Sequence, residues 1–377
     1  MVYLDYSATT PVNKEVLDSF NKTCTSFIGN SNSLHKLGVE AKKLEEQATK
    51  QILELLNVHD FDIIYTSGSS ESNNTVIKGI CEKYQNRGKK IITTNLEHSS
   101  IYGPLGYLQK KGFEVEIVNT LDDGTVDIEH LKSLMDDEVI LVTVASVNSE
   151  TGLLQPIDII GKVVKEYSKC YFHVDMTQSI GKINVSFDNI DLVSFSAHKF
   201  YGIKGIGVLL KRKNIVIEPL IHGGKSTTVY RSGTPALSLI VSLSKALRLS
   251  ITNLENNQKY VKKYHDIIIE KLSKYNHVHI NSNDRCIPHI INFSVDFVKP
   301  ETLQHALEEH DIYISTQSAC SSGHSISKAV LELTKNEEYA SHSVRVSLSH
   351  LTTEQEVNQF LKAFDICYKR FNNLYEV

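Results

Sequence analysis

The sequence predicts an α/β fold with a mostly parallel central sheet, followed by a smaller α+β domain at the C-terminal end. Between about residues 60 and 212, short apolar runs alternate with amphipathic stretches, which is typical of β-α-β units. After Lys213 the alternation stops, and a loop containing Gly223-Gly224 leads into a long helical stretch. A chain of 377 residues exceeds what one compact core usually organises, which favours a large domain with a smaller companion.

Seven apolar runs of strand length lie in the first part of the chain, with helical patterns between them. The predicted strands are FDIIYT, KIITTN, EVEIVN, VILVTVAS, YFHVDM, DLVSFS and GIGVLLK, and the predicted helices are residues 71–86, 99–111, 127–136 and 156–168. One long helix is predicted from about Ala236 to Lys274. The last third contains the predicted strands HIINFSV, YISTQ and VRVSLS and the predicted helices 301–309, 325–334 and 353–372.

These patterns divide the chain into three predicted parts. Residues 1–14 form an N-terminal segment that packs with the small domain, and residues 15–255 form the large domain. Residues 256–377 form the small C-terminal domain, which carries Cys320. Because ligands of open α/β sheets bind at the carboxyl ends of the strands, the large domain is where a ligand site is expected.

Composition and charge argue against several classes of protein. The net charge of −4 at pH 7, with no basic run interleaved with aromatic residues, argues against direct nucleic-acid binding. The first residues, MVYLDYSATT, have no signal-peptide pattern, and no apolar run reaches membrane-spanning length, which predicts a cytoplasmic protein without membrane contact. The six cysteines are scattered without a C-x-x-C pair, so neither a metal site nor a disulfide framework is predicted.

A run of small polar residues follows the first predicted strand of the sheet. FDIIYT leads into Ser67-Gly68-Ser69-Ser70-Glu71 at the start of a predicted helix, where hydroxyl groups and backbone N–H groups can bind an anion. The loop lacks the glycine patterns of P-loops and of dinucleotide-binding folds. Taken alone, a serine that only caps the helix is the alternative interpretation.

Charged residues close two further strands. Asp175 ends an apolar run, where a carboxylate needs a cationic partner such as a protonated ring nitrogen; a helix cap or a structural ion pair is the alternative. Ser196, His198 and Lys199 end the next strand, where a partly buried lysine amine can attack a carbonyl; a surface lysine is the alternative. An anion site, a ring-nitrogen partner and an imine-forming lysine together match the needs of pyridoxal phosphate.

The motifs along the chain resemble those of the cysteine desulfurases, pyridoxal-phosphate enzymes of the class V aminotransferase group that have the aspartate-aminotransferase fold, fold type I. The resemblance covers nearly the whole chain and is to the long-loop type. Its motifs are YLDYSATTPV, TSGSSESNN, the EH of NLEHSS, QPI, HVDMTQSIGKI, SFSAHKFYGIKGIG, EPLIHGG, RSGT, SACSSG and VRVSL. Any one of these matches is weak, but their number and order make chance similarity a poor explanation.

The resemblance implies roles for the residues that match the family motifs. Lys199 resembles the lysine that forms the Schiff base, Asp175 the partner of the pyridine nitrogen, and Cys320 the catalytic cysteine that carries a persulfide. The other matches are His98, stacked on the cofactor ring and catalytic; Gln178, at the phenolic oxygen; Ser69, Ser70, Ser196, His198 and Thr234, at the phosphate; and Arg345, Asn148 and Ser149, at the substrate. No metal is implied.

The implied reaction converts L-cysteine to L-alanine and leaves the sulfur on Cys320 for acceptor proteins of iron–sulfur cluster assembly or of tRNA thiolation. Thr234 matches a residue that reaches the phosphate from the other subunit, which implies a homodimer. Ser149 stands where the family usually has asparagine, and residues 225–230 lack the usual Gln-Glu-Arg-Gly pattern. The alternatives are another pyridoxal-phosphate reaction, such as transamination or selenocysteine lysis, and a non-enzymatic scaffold with the same fold.

Overall fold

The computed structural model describes residues 1–224, 228–316 and 326–375. Their strands are Val2–Tyr3 (β1), Phe61–Thr66 (β2), Lys90–Thr93 (β3), Glu114–Ile117 (β4), Val139–Ala145 (β5), Tyr171–Asp175 (β6), Leu192–Ser196 (β7), Gly207–Arg212 (β8), Val278–Ile280 (β9), Ile290–Val295 (β10), Ile312–Tyr313 (β11) and Ser343–Ser347 (β12). Their α-helices are Lys14–Ser26 (α1), Lys36–Leu56 (α2), Ser69–Tyr84 (α3), Ser99–Gln109 (α4), Ile128–Leu134 (α5), Ile157–Lys165 (α6), Leu237–Thr252 (α7), Leu254–Leu272 (α8), Pro300–Glu308 (α9), Lys328–Thr334 (α10), Glu337–Ser341 (α11) and Glu354–Tyr375 (α12).

The main sheet of the described residues has seven strands in the order β2-β8-β7-β6-β5-β3-β4. The pairs from β7 to β4 are parallel, whereas β8 is antiparallel to both of its neighbours. The central strand β5 is buried at every position, as expected of a parallel strand that is covered on both faces. The predicted α/β class with a mostly parallel sheet is therefore confirmed.

Apolar side chains cover both faces of the main sheet. Neighbouring residues of one strand enter different clusters: Ile63 packs with helices α2, α6 and α7, and Ile64 packs with α3 and α4. The same alternation occurs in β5, where Val142 faces the first cluster and Leu141 the second. This two-sided packing holds the strands rigidly, so that the residues at their carboxyl ends have fixed positions.

A third apolar cluster joins the two ends of the chain. It combines Val2 and Leu4 with Phe293 of β10, Val344 of β12 and Phe360 of α12. Strands β12, β10 and β9 form an antiparallel sheet, and β1 pairs in parallel with β11. The N-terminal segment thus packs with C-terminal elements, while the division at residues 14 and 255 stays a prediction.

The single long helix predicted from Ala236 to Lys274 is wrong in detail. Helix α7 ends at Thr252, helix α8 begins at Leu254, and the two axes differ by 67°. The residue between them, Asn253, has φ −110° and ψ 13°, and asparagine side chains compete with the helix for backbone hydrogen bonds. No single described helix is long and apolar enough to cross a membrane; only this bent pair, taken together, reaches that length and composition.

Candidate active site

A cavity of about 260 Å³ lies beyond the carboxyl ends of β5, β6 and β7. Its lining residues are Ser7, Ala8, Ser69, Ser70, Leu96, His98, Ala145, Val147, Ser149, Asp175, Thr177, Gln178, His198, Lys199 and Arg345. Nine of them carry a role implied by the resemblance. The fold therefore brings together residues that are up to 338 positions apart in the sequence, from Ser7 to Arg345.

The start of α3 forms one wall of the cavity. Its N-cap residue, Gly68, has no side chain to satisfy the first backbone N–H groups of the helix. The Ser69 N–H donates to Ser196 Oγ at 2.6 Å, which ties α3 to the end of β7. A Cβ on Gly207 would lie 2.6 Å from Gly68 Cα, so glycine at 207 permits this close approach. Helix N-termini of this kind favour an anion such as phosphate.

Asp175 is buried at the end of β6, with 6% of its surface exposed. Its Oδ2 accepts from Asn73 Nδ2 at 2.8 Å, and its Oδ1 accepts from the Thr177 N–H at 3.0 Å. Both donors are neutral, and no cation among the described residues forms an ion pair with this carboxylate. A buried carboxylate without a counter-charge suits a protonated ring nitrogen.

His98 caps α4 and is held by a hydrogen-bond chain that begins at Asp175. Asn73 Nδ2 also donates to Ser100 Oγ at 2.9 Å, and Ser100 Oγ lies 2.8 Å from His98 Nδ1. The Ser100 N–H donates to the same Nδ1 at 3.2 Å, so Nδ1 is an acceptor and the ring proton sits on Nε2. Burial lowers the pKa of His98, although the charge of Asp175 opposes this shift. The imidazole is therefore neutral at pH 7.

The N-terminal segment holds Lys199 in place. Lys199 Nζ donates to Ser7 O at 2.7 Å and to Ala8 O at 2.8 Å. Thr10 Oγ1 donates to His198 O at 2.9 Å, which fixes the turn that follows β7. Because Lys199, Ser7 and Ala8 all line the cavity, these hydrogen bonds hold the lysine amine at the cavity wall.

Gln178 is fixed from two sides. Its Nε2 donates to Ser7 O at 2.9 Å, and its Oε1 accepts from Lys182 Nζ. Burial, followed by the positive charges of Lys199 and Arg345, lowers the pKa of Lys182 well below its usual range. Sequence reasoning gave no role to Lys182, although its position four residues after Gln178 in HVDMTQSIGKI was a signal.

Arg345 is the largest fully buried side chain described, with 1% of its surface exposed. Its Nη2 pairs with Asp5 Oδ1 at 2.7 Å, and its Nη1 donates to Ser149 O at 2.9 Å. Its buried Nε has no hydrogen-bond partner among the described residues. Each Nη carries two N–H donors and uses one of them in these described bonds, so the guanidinium is anchored and keeps one N–H on each Nη for a ligand carboxylate.

Three residues with implied roles do not line the cavity. Ser196 lies behind the wall, where its Oγ accepts from Ser69 N, and the exposed Thr234 lines a separate cavity of about 90 Å³. Asn148 folds a turn: its Oδ1 accepts from the N–H of Thr151 at 2.8 Å, and its Nδ2 donates to Leu96 O at 2.8 Å. The predicted roles of these residues stay predictions.

Sequence reasoning missed part of the cavity wall and one residue of the polar network. The missed lining residues are Ser7, Ala8, Leu96, Ala145, Val147 and Thr177. Asn73, which links Asp175 to His98, had a signal in SSESNN, one helical turn after the anion-binding serines. Cys320 lies outside the described residues.

Comparison with known proteins gives consistent matches over the chain. The model of the family "Aminotransferase class-V" matches residues 2–360. The "Cysteine desulfurase IscS" of Dictyoglomus turgidum is 36% identical, over 97% of this chain and 93% of the relative. A solved structure named "NifS-like protein" superimposes with a TM-score of 0.91 at 33% identity, covering 97% of this chain and 98% of the other.

A second solved structure, named "SspA in complex with cysteine", has a TM-score of 0.80 at 29% identity and covers 94% of this chain and 100% of the other. These likenesses extend over both the main sheet and the C-terminal elements. They agree with the order of motifs in the sequence and with the cavity at the carboxyl ends of β5, β6 and β7. The chain therefore belongs to the class-V aminotransferase family and, within it, to the cysteine desulfurases.

Proposed function

We propose that this protein is a pyridoxal-phosphate-dependent cysteine desulfurase, which converts L-cysteine to L-alanine and captures the sulfur as a persulfide on Cys320. The observation that carries the proposal is one cavity with three features: the uncapped start of α3, the buried carboxylate of Asp175 and the amine of Lys199. These features match the phosphate, the ring nitrogen and the aldehyde of one cofactor.

The charges around the cavity support this fit. Lys199 and Arg345 are partly or fully buried basic residues that line the cavity, where Asp5 pairs with Arg345 and Asp175 is a further lining carboxylate. A site with this balance favours ligands that carry a phosphate and a carboxylate. When bound, pyridoxal phosphate would supply an electron sink for the bonds at the substrate Cα. Ser69, Ser70, His198, Asp175, Gln178 and Lys199 would hold it.

The chain's own residues would then orient the substrate and move its protons. Arg345, which lines the cavity, would bind the α-carboxylate of cysteine through the remaining N–H groups of its two Nη atoms. Lys199 would remove the proton from Cα and later return one, since its amine is held at the cavity wall. Asp175 would keep positive charge on the ring nitrogen, and His98, neutral and with its proton on Nε2, would stack on the ring.

The sulfur transfer would be carried out by Cys320. Its thiolate attacks the sulfur of the substrate, so that a new S–S bond forms while the Cβ–S bond breaks. The electron pair of the broken bond stays on carbon, which is then protonated to give alanine. One cysteine and one thiol are consumed and one alanine and one persulfide are formed, so no external oxidant is needed.

We further propose that the protein acts as a homodimer. Ile28, Leu34, Leu37 and Val39 are apolar and expose 46–96% of their surface, which favours contact with a second copy. Thr234 is exposed and does not line its own chain's main cavity, as expected if it serves the phosphate of the other subunit. A monomeric mass by light scattering, with activity intact, would contradict this.

The acceptors of the sulfur are expected to be proteins of iron–sulfur cluster assembly or of tRNA thiolation in the cytoplasm. Direct binding to nucleic acid is not part of the proposal, because the net charge is −4 and no basic run was found. Incubation of the persulfidated protein with a candidate scaffold or thiolation protein tests this point. Transfer of labelled sulfur to only one of the two classes would identify the pathway.

The reaction is tested by intact mass. Protein loaded with pyridoxal phosphate is incubated with L-cysteine without reductant, and it is expected to gain the mass of one sulfur atom. Cys320→Ala should gain none, whereas Cys24→Ala, which changes an exposed cysteine, should gain it as the wild type does. Alanine release that persists undiminished in Cys320→Ala would contradict the persulfide mechanism.

A further inference from the structure

We propose that Lys182 is a positioning residue, which fixes the amide of Gln178 so that its nitrogen, and not its oxygen, serves the cofactor. The inference rests on the proposed function, because Gln178 is expected to meet the phenolic oxygen of pyridoxal phosphate. Lys182 itself does not line the cavity, so it acts through Gln178 and not by contact with substrate or cofactor.

Lys182 is buried in a place where a lysine is costly. It exposes 9% of its surface, and in the described part of the chain no carboxylate forms an ion pair with it. The hydrogen bond described for its Nζ goes to Gln178 Oε1. An apolar residue of similar size would avoid the desolvation cost, so the lysine contributes something other than packing.

The two partners of Gln178 impose the same orientation on its amide. Lys182 Nζ donates to Gln178 Oε1, which places the amide oxygen on the side of Lys182. A backbone carbonyl can only accept, so Ser7 O requires Nε2 on the other side. A flipped amide would place an oxygen against the Ser7 carbonyl and would take the acceptor away from Lys182 Nζ, so both described hydrogen bonds would be lost.

This orientation determines what Gln178 offers to a ligand. An amide nitrogen carries two hydrogens, and one of those on Nε2 is used by Ser7 O. The other is available on a residue that lines the cavity, where it can donate to an ionised phenolic oxygen. An amide oxygen in its place would repel that oxygen, so the direction of the amide decides between attraction and repulsion.

The same contacts connect Lys182 to the catalytic lysine. Ser7 O accepts from Gln178 Nε2 at 2.9 Å and from Lys199 Nζ at 2.7 Å. Lys182, Gln178, Ser7 and Lys199 therefore form one hydrogen-bond chain along the wall of the cavity. Loss of the first member leaves Gln178 Oε1 without its donor and allows the amide to rotate, which weakens the support of the other members.

The test uses Lys182→Met, which keeps the length of the side chain but removes the donor. The apo protein should bind pyridoxal phosphate about 10-fold more weakly. The pH midpoint of the bound cofactor's visible absorbance should rise, because the ionised phenolic oxygen loses a donor. Lys211→Met is the matched control, because Lys211 is also a buried lysine but lies at the end of β8 that is far from the cavity. The cofactor affinity and the pH midpoint of this variant should equal those of the wild type.

A double-mutant cycle with Gln178→Ala separates positioning from a general effect of charge. If Lys182 acts through Gln178, Lys182→Met should weaken cofactor binding in the wild-type background but less than 2-fold in the Gln178→Ala background. Equal losses in both backgrounds, or an unchanged midpoint in Lys182→Met, would overturn the proposal.

Gln178→Glu covers the case in which Lys182→Met fails to fold. It gives Lys182 a carboxylate partner but removes the N–H donor from the cavity, so cofactor binding should fall as it does in Gln178→Ala. Wild-type affinity in Gln178→Glu would contradict the inference. A wild-type protein that binds no pyridoxal phosphate would instead contradict the proposed function, so the two failures are distinguishable.

Discussion

Buried carboxylates at the two ends of the main sheet differ in whether a cation of the same chain pairs with them. At the end where β7 begins, Asp191 exposes 4% of its surface and pairs with Lys165 and, more distantly, with Arg212. At the cavity end Asp175 exposes 6%, and among the described residues its carboxylate accepts from the neutral donors Asn73 and Thr177 alone. Burial is nearly equal, so the difference lies in the counter-charge.

Buried lysines differ in the same way. Lys211, fully buried on β8, donates to Asp62 Oδ2 at 3.1 Å, to Arg212 O at 3.0 Å and to Ile215 O at 2.8 Å. Lys182, at the cavity end, donates to the neutral amide of Gln178. In the described structure one end of the sheet therefore neutralises its charges within the chain, while the other end leaves charge for a ligand to compensate.

The largest effect is expected from Lys199→Ala. The variant should lose the visible absorbance of bound pyridoxal phosphate, and its turnover of L-cysteine should fall by about 10⁴-fold or more, because both the attachment point and the proton acceptor are gone. Lys204→Ala changes an exposed lysine of the same loop and should keep both signals. Retention of the absorbance band in Lys199→Ala would assign the attachment to another residue.

The same substitution at the two ends of the sheet should give opposite results. Asp175→Asn should lower kcat by about 10²- to 10³-fold with little loss of stability, since it removes a charge that stabilises the ring nitrogen. Asp191→Asn should leave kcat nearly unchanged but lower the free energy of unfolding by about 1–2 kcal/mol, because the buried carboxylate loses its charged hydrogen bond from the partly exposed Lys165. Urea unfolding and steady-state kinetics of both variants test whether Asp175→Asn loses mainly activity and Asp191→Asn loses mainly stability.

Arg345→Lys should have a smaller and more selective effect. Lysine keeps the positive charge but not the planar fork that reaches Asp5, Ser149 O and a carboxylate together. We expect kcat/KM for L-cysteine to fall about 10- to 100-fold, mainly through KM. Unchanged cofactor affinity is the internal control, and a loss of cofactor instead of substrate binding would place Arg345 at a different part of the ligand.

The sheet and its site edge could be predicted from sequence because they depend on local patterns. Apolar runs that alternate with amphipathic stretches predicted the strands, and polar residues at the strand ends predicted the ligand-binding edge of the sheet. Asp175 and Lys199 were therefore identified from the sequence alone. Long-range partners had no such signal. Ser7 and Ala8 reach Lys199 across more than 190 positions, and only the folded chain brings them together.

The break at Asn253 and the helices α1 and α2 are features that the local sequence patterns did not predict. One asparagine inside an apolar pattern is tolerated in many helices, so whether it bends the chain depends on what packs on either side. Helices α1 and α2 carry their apolar residues against α7, far along the sequence, and Gly38 interrupts the pattern of α2. Asn148 matches a family motif, yet its described hydrogen bonds stabilise a turn. The sequence alone does not distinguish a substrate-binding asparagine from one that stabilises a turn.

An effect on stability that depends on pH is expected from Glu97, the residue before His98. It exposes 9% of its surface, its Oε1 accepts from Thr94 Oγ1 at 2.7 Å, and its Oε2 has no described partner. Burial raises its pKa from 4.5 to about 8, so the folded protein holds a proton that the unfolded chain releases. Its contribution to stability is present in full below pH 4.5 and is lost as the pH rises to 8.

Glu97→Gln should remove this dependence. Between pH 5 and pH 8 the free energy of unfolding of the wild type should decline relative to that of Glu97→Gln by about 1.4 kcal/mol per pH unit. Glu71→Gln should show the opposite sign, because hydrogen bonds from Arg231 and Ser67 outweigh burial and lower the pKa of Glu71, whose stabilisation is lost as the pH falls. Parallel wild-type and Glu97→Gln curves from urea unfolding of the apo protein would contradict the raised pKa of Glu97 in the folded protein.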